Sequence, residues 1–200
     1  MNGSASPPAS AHARPRVRAH ARARVATALL SAGLAGCILN SSLPLPEGGT
    51  PPSHRAVLVY GVKAEARWDT PRIGVQLTEY DLKRQAITGN CFLFNRTETS
   101  APAVPGKINW FAFDVPPGYY VYSPFNGAGL EGPSVAFEAP AGRATYIGDF
   151  VLVDRHTMQL RRPPEGERSA LYAALPQLPR ALDAAQTVPV APPHPFLCTP

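Results

Sequence analysis

The chain is poor in the residues that most chemistry needs. Its 200 residues include only three cysteines, two methionines and two tryptophans, and no Asp or Glu occurs in the first 37. The longest apolar stretch runs from Val25 only to Leu39, and polar Asn40, Ser41 and Ser42 follow it. Crossing a bilayer core takes about 20 apolar residues, so a transmembrane helix is excluded there. No G-x-S-x-G signature is present. His54, His156 and His194, the three histidines after Cys37, have no metal-ligand spacing with one another or with a cysteine. The sequence therefore predicts no catalytic, cofactor-binding or metal site.

The positive charge is also misleading. The formal net charge of +5 comes from Arg14, Arg16, Arg18, Arg22 and Arg24. Without that segment, fourteen basic residues face fourteen acidic ones. Nucleic-acid binding needs clustered positive charge to displace counterions from phosphate, so no nucleic-acid partner is expected.

What is abundant is proline. Twenty-four prolines are more than twice the usual share of about 5%. They gather at both ends and in turns, which predicts a compact middle with extended flanks.

The basic segment 14–24 precedes the apolar, small-residue run 25–36 (VATALLSAGLAG). A positive n-region followed by an h-region of about 7–15 residues is a secretory signal. The run ends in Leu34-Ala35-Gly36-Cys37, which resembles the lipobox of bacterial lipoproteins. The resemblance implies cleavage after residue 36 and acylation of Cys37, with several chains giving a firm membrane anchor. In enterobacterial lipoproteins an Asp after the cysteine retains the protein in the inner membrane. By that resemblance Ile38 implies the outer membrane. The n-region is long, so translation starting nearer the Arg cluster is an open alternative.

Residues 40–55 (NSSLPLPEGGTPPSHR) have no periodic apolar face, and such composition predicts a flexible tether over 37–55. From 56 to 161 the pattern is that of strands, at 56–67, 72–80, 86–95, 108–115, 119–123, 134–139, 144–153 and 157–161. Ile73, Val75 and Leu77 alternate with Gln76 and Thr78, and Phe111, Phe113 and Val115 alternate with Trp110, Ala112 and Asp114. Period two marks half-buried strands. The expected fold is mostly β: an antiparallel sandwich of seven or eight strands. Residues 162–200 add one short helix over 165–175, with Leu171, Leu175 and Leu178 toward the sheet, and a Pro-rich extended tail.

Two stretches, FDVPPGYYVY (113–122) and FEAPAGRATYIGDF (137–150), resemble uncharacterised bacterial envelope lipoproteins with a transthyretin-like or carboxypeptidase-regulatory-like domain. The resemblance covers about a fifth of the chain. It implies strand-turn-strand joints and brings no catalytic residues.

Other candidates have simpler readings. Gly127–Gly132 matches G-x-G-x-x-G, but Pro133 and a strand follow where a dinucleotide site needs a helix N-terminus. Asp149 is a candidate ligand or base, or else part of a bulge that Gly148 allows. Tyr119, Tyr120, Tyr122 and Phe125 are a candidate sugar-stacking set, or else core. Cys91 and Cys198 are an even pair in an exported chain, which predicts a disulfide; two unpaired buried thiols are the alternative. The expected function is non-catalytic: an envelope lipoprotein that binds or scaffolds something in the cell envelope, with an envelope protein or a glycan as the expected partner. A glycan- or peptidoglycan-binding module and an envelope hydrolase are the rivals.

Overall fold

The computed structural model describes residues 39–46, 53–67, 70–90, 92–179 and 182–195. They are mostly β, in several sheets, with one short α-helix. Seven strands among the described residues have five or more residues. They are β1 (Ala56–Ala64), β2 (Gln76–Asp81), β3 (Ile108–Val115), β4 (Gly118–Tyr122), β5 (Val135–Ala139), β6 (Ala144–Leu152) and β7 (Thr157–Arg161).

The larger sheet runs Gly129–Leu130, β7, β6, β1, β3, Leu43–Pro44, with Asp183–Ala184 against β6. Its centre is β1, where Ala56–Val62 are all buried. A run apolar on both faces suits a central strand that is covered on both sides. β1 pairs antiparallel with β3 but parallel with β6. The sheet is therefore mixed, which corrects the expectation of wholly antiparallel pairing. After β3 the chain passes through the β4–β5 hairpin of the other sheet, then returns along the free edge of β1. The smaller sheet, Thr187–Pro189, β5, β4, β2, Ala86–Ile87, is antiparallel, and Arg96–Glu98 also pairs with β2.

The inner faces of the two sheets share one core. Tyr60 stacks on Phe113 at 5.8 Å and meets Phe150 edge-on at 5.6 Å. Tyr122 and Phe137 approach Phe150 from the smaller sheet at 5.5 and 6.4 Å. The alternation expected in β3 is observed: Phe113 and Val115 are buried in this core, and Phe111 packs against it. The Tyr60 hydroxyl is buried but bonded to Thr97 Oγ1 at 2.8 Å, so it adds no unpaired polar group.

The outer faces are covered by the C-terminal segment. Residues 165–167 form a 3-10 turn, followed by α1 (Ser169–Ala174). Leu171, Leu178 and Leu182 pack on Val57, Val59, Ala112 and Tyr146, with Leu175 partly buried beside them. The helix lies within the expected 165–175, and Pro176 stops it. On the smaller sheet, Val190 covers Tyr80, Val121 and Ala136.

Three segments differ from expectation. Residues 86–95 are two short strands rather than one, Ala86–Ile87 and Leu93–Phe94, because the Asn90 side chain accepts the Phe92 and Leu93 N–H groups and turns the chain. The 72–80 stretch divides after Ile73, where Arg72–Ile73 pairs with Ala101–Pro102 instead of joining β2. The tether expected over 37–55 is docked over its described residues 39–46. Leu39–Asn40 pairs with Leu93–Phe94, Leu43–Pro44 pairs with β3, and Leu45 N–H donates to Ala112 C=O at 2.8 Å. Edge backbone groups of the sheets satisfy this segment, which composition alone does not reveal.

A half-buried aspartate in a cleft as candidate functional site

Three strands build the most unusual polar feature of the outer face. β3, β1 and β6 align Trp110, Gly61 and Asp149 across the sheet. Gly61 supplies the space: a Cβ there would meet Asp149 Oδ1 at 2.2 Å. The carboxylate lies over that gap, accepts the Tyr146 hydroxyl at 2.6 Å and is bonded by the Trp110 side chain.

A bulge aims this carboxylate. The β1–β6 register shifts between Tyr146 and Gly148, and Gly148 has φ of 132°, which L side chains rarely adopt. Of the two readings of Asp149, the bulge is present. Tyr146 and Asp149 thereby reach the same face although they are three positions apart, an offset that puts side chains on opposite faces of a regular strand.

Asp149 lines an open cleft of about 520 Å³ between the sheet and the helical segment. Lys63, Trp110, Arg161, Arg162 and Glu167 are among its walls. Burial raises the Asp149 pKa above the usual carboxylate value, against the lowering effects of its Tyr146 and Trp110 bonds and of the Lys63 and Arg168 charges. The rim cations have partners. Arg161 forks onto Glu65 at 2.8 and 2.9 Å, and Lys63 joins the same carboxylate at 2.9 Å. These hydrogen bonds hold Glu65 down to about 2. Arg162 Nε donates to the Ile147 carbonyl at 2.8 Å. Arg168 is nearly buried, lies 4.6 Å from the Tyr146 ring centre and donates to the Leu182 carbonyl at 3.0 Å. It clamps the helical segment over the site by a cation–π contact and a charge-assisted hydrogen bond.

This arrangement can accept hydrogen bonds from a bound hydroxyl or ammonium group. It holds no hydroxyl, thiol or imidazole placed as a nucleophile among the described lining residues.

The other candidates are scattered. His54, His156 and His194 are all exposed, and His156 sits in a turn where its N–H donates to Asp154 Oδ1 at 2.8 Å. No group of three potential metal ligands occurs among the described residues. Gly129–Leu130 pairs with β7 and leads through Pro133 into β5, with no helix to hold a pyrophosphate. Tyr120 and Tyr122 are buried, their hydroxyls donating to the Pro116 and Ala128 carbonyls at 2.9 and 2.8 Å. Only Phe125 of that set is strongly exposed, so the tyrosines do not form a sugar-stacking shelf. The signal at 1–36, Cys37, Cys91 and Cys198 lie outside the described residues.

Sequence reading named Asp149 but missed Gly61, Trp110, Tyr146 and Arg168. Trp110 was visible as the odd aromatic on the outward face of its strand. The glycine opposite it becomes meaningful only once the register is known. Comparison with protein-family models, curated proteins and solved structures gives no match for this chain.

Proposed function

We propose that the chain is a lipid-anchored bacterial envelope protein with two attachments: Cys37 to the membrane, and a β-sandwich domain to an envelope partner that it binds or scaffolds without catalysis. The observation that carries this reading is a coincidence of boundaries. The first described strand of the fold begins at Leu39, two residues after the cysteine of the lipobox. Cleavage before Cys37 would remove the basic and apolar leader and leave every described strand intact. The common core of the two larger sheets supports a sandwich, and the two Gly- and Pro-containing joints support its likeness to transthyretin-like envelope domains. Ile38 favours the outer membrane.

Mass spectrometry of the membrane fraction tests the anchor. A mature chain beginning at acylated Cys37 is expected, with unprocessed precursor in Cys37→Ser. Recovery of an unacylated chain with Met1 intact overturns it.

The Asp149 cleft favours a second reading, binding of a hydroxyl-rich glycan or peptidoglycan fragment. An indole beside a half-buried carboxylate offers a flat apolar surface and a hydrogen-bond acceptor. Titration with soluble peptidoglycan fragments should change Trp110 emission in the parent chain and not in Asp149→Ala. An unchanged spectrum with the parent chain removes this reading.

A further inference from the structure

Three of the exposed large apolar residues lie together on one two-stranded ladder. Leu39, Phe92 and Leu93 are 58%, 67% and 49% exposed. Leu39 and Leu93 are register partners in parallel strands, and the Leu39 N–H donates to the Phe92 carbonyl at 2.7 Å. The patch is held firmly. Asn40 Nδ2 donates to the Arg96 carbonyl at 2.7 Å, and Asn40 Oδ1 accepts the Arg96 N–H at 3.0 Å. The Arg96 guanidinium lies 4.7 Å from the Phe94 ring centre, placing a cation beside the apolar surface.

Water-exposed side chains of this size in one place call for a partner. Chain connectivity says which. Cys37 is two residues before Leu39, and two residues span at most roughly 7 Å. An acyl group on Cys37 therefore brings the bilayer surface next to Leu39, with no free tether between them. We infer that Leu39, Phe92 and Leu93 form a membrane-contact face that seats the domain directly on the bilayer carrying its lipid anchor. This rests on the lipid-anchor reading above. Apolar side chains of such a face enter the headgroup and upper acyl region, about 5–10 Å deep, while an adjacent arginine meets lipid phosphate.

The test uses the full chain purified from membranes and reconstituted into phosphatidylethanolamine–phosphatidylglycerol vesicles with brominated acyl chains. Phe92→Trp and Leu93→Trp report on the patch; both sites are exposed, so the substitutions spare the core. Phe125→Trp is the control. Its neighbour Asn126 bonds Gln76, at the other end of β2 from the Tyr80–Ile87 pairing. Each is compared with the parent chain and its two tryptophans. The added emission at 92 and 93 is expected to be blue-shifted and mostly lost on bromolipid, and that at 125 to persist. Unquenched emission at 92 and 93 overturns the inference, as does equal quenching at 125. A blue shift without bromine quenching also overturns it, since a protein then covers the patch. Mass spectrometry of Cys37 in the same sample judges the anchor separately: acylation with unquenched patch tryptophans sinks the contact face and leaves the anchor standing.

Discussion

Gly61 and Asp149 are a matched pair, because one side chain occupies the space the other lacks. Gly61→Ala puts a methyl 2.2 Å from Asp149 Oδ1 and 2.8 Å from Ile108 Cδ1. It should destabilise the domain by about 1–3 kcal/mol, the usual cost of overpacking. Urea unfolding measures this, and most of the loss should disappear in the Gly61→Ala/Asp149→Ala double variant if the carboxylate is the obstacle. The raised pKa of Asp149 also has a sign. The folded state holds this proton more tightly than the unfolded chain, so stability falls as pH rises from the ordinary carboxylate value through the folded one. Glu65 has the opposite sign. Its stabilising contribution is present above the ordinary carboxylate value and is lost as pH falls toward about 2. In unfolding measured across the acid range, Asp149→Asn should therefore remove a decline with rising pH, and Glu65→Gln a decline with falling pH. Identical pH profiles for parent and Asp149→Asn would contradict the cause assigned to the shift.

Among the elements, the C-terminal segment matters most, since it covers the outer faces of both sheets. Leu171 is fully buried on Val57, Val59 and Tyr146. Leu171→Ala should cost about 2–5 kcal/mol, the range for a buried leucine that leaves a cavity. Thermal unfolding reads the loss, and a change no greater than that of an exposed alanine substitution would show the helix to be loosely applied. Farther along, Thr187–Pro189 pairs with β5, and the Val190 and Glu138 amides donate to Ser134 and Gln186 carbonyls at 3.0 and 2.9 Å. These amides should exchange slowly in native-state hydrogen exchange. Ending the chain at Ala185 should expose the β5 edge and speed exchange at Ala136 and Glu138 without unfolding β1 or β6.

For the molecule as a whole, the expected link is a disulfide between Cys91 and Cys198. A bond would close a loop of roughly 108 residues, for which chain-entropy estimates give about 4–5 kcal/mol. Non-reducing digestion of protein made in an oxidising compartment should recover the linked peptides; two alkylatable thiols in the native chain would refute the pairing. The tail does not depend on that bond for all of its order. The Tyr80 hydroxyl donates to the Ala191 carbonyl at 3.1 Å, and the Ala191 N–H donates to Gln85 Oε1 at 2.8 Å. Cys91→Ser should thus lower the unfolding temperature while the Thr187–Pro189 pairing persists in hydrogen exchange.

Local pattern was enough to locate most strands. The alternation of Phe111, Phe113 and Val115, the helix bearing Leu171, and the bulge at Gly148 were all legible, because each depends on residues close in sequence. Pairing was not legible. That β6 runs parallel beside β1, that 39–46 docks on two sheet edges, and that Gly61 faces both Trp110 and Asp149 are facts about residues tens of positions apart. Backbone hydrogen bonds between strands are chemically alike, so composition does not rank one edge over another. The choice is made by which arrangement buries the apolar faces of all the strands together, and only the tertiary structure contains that sum.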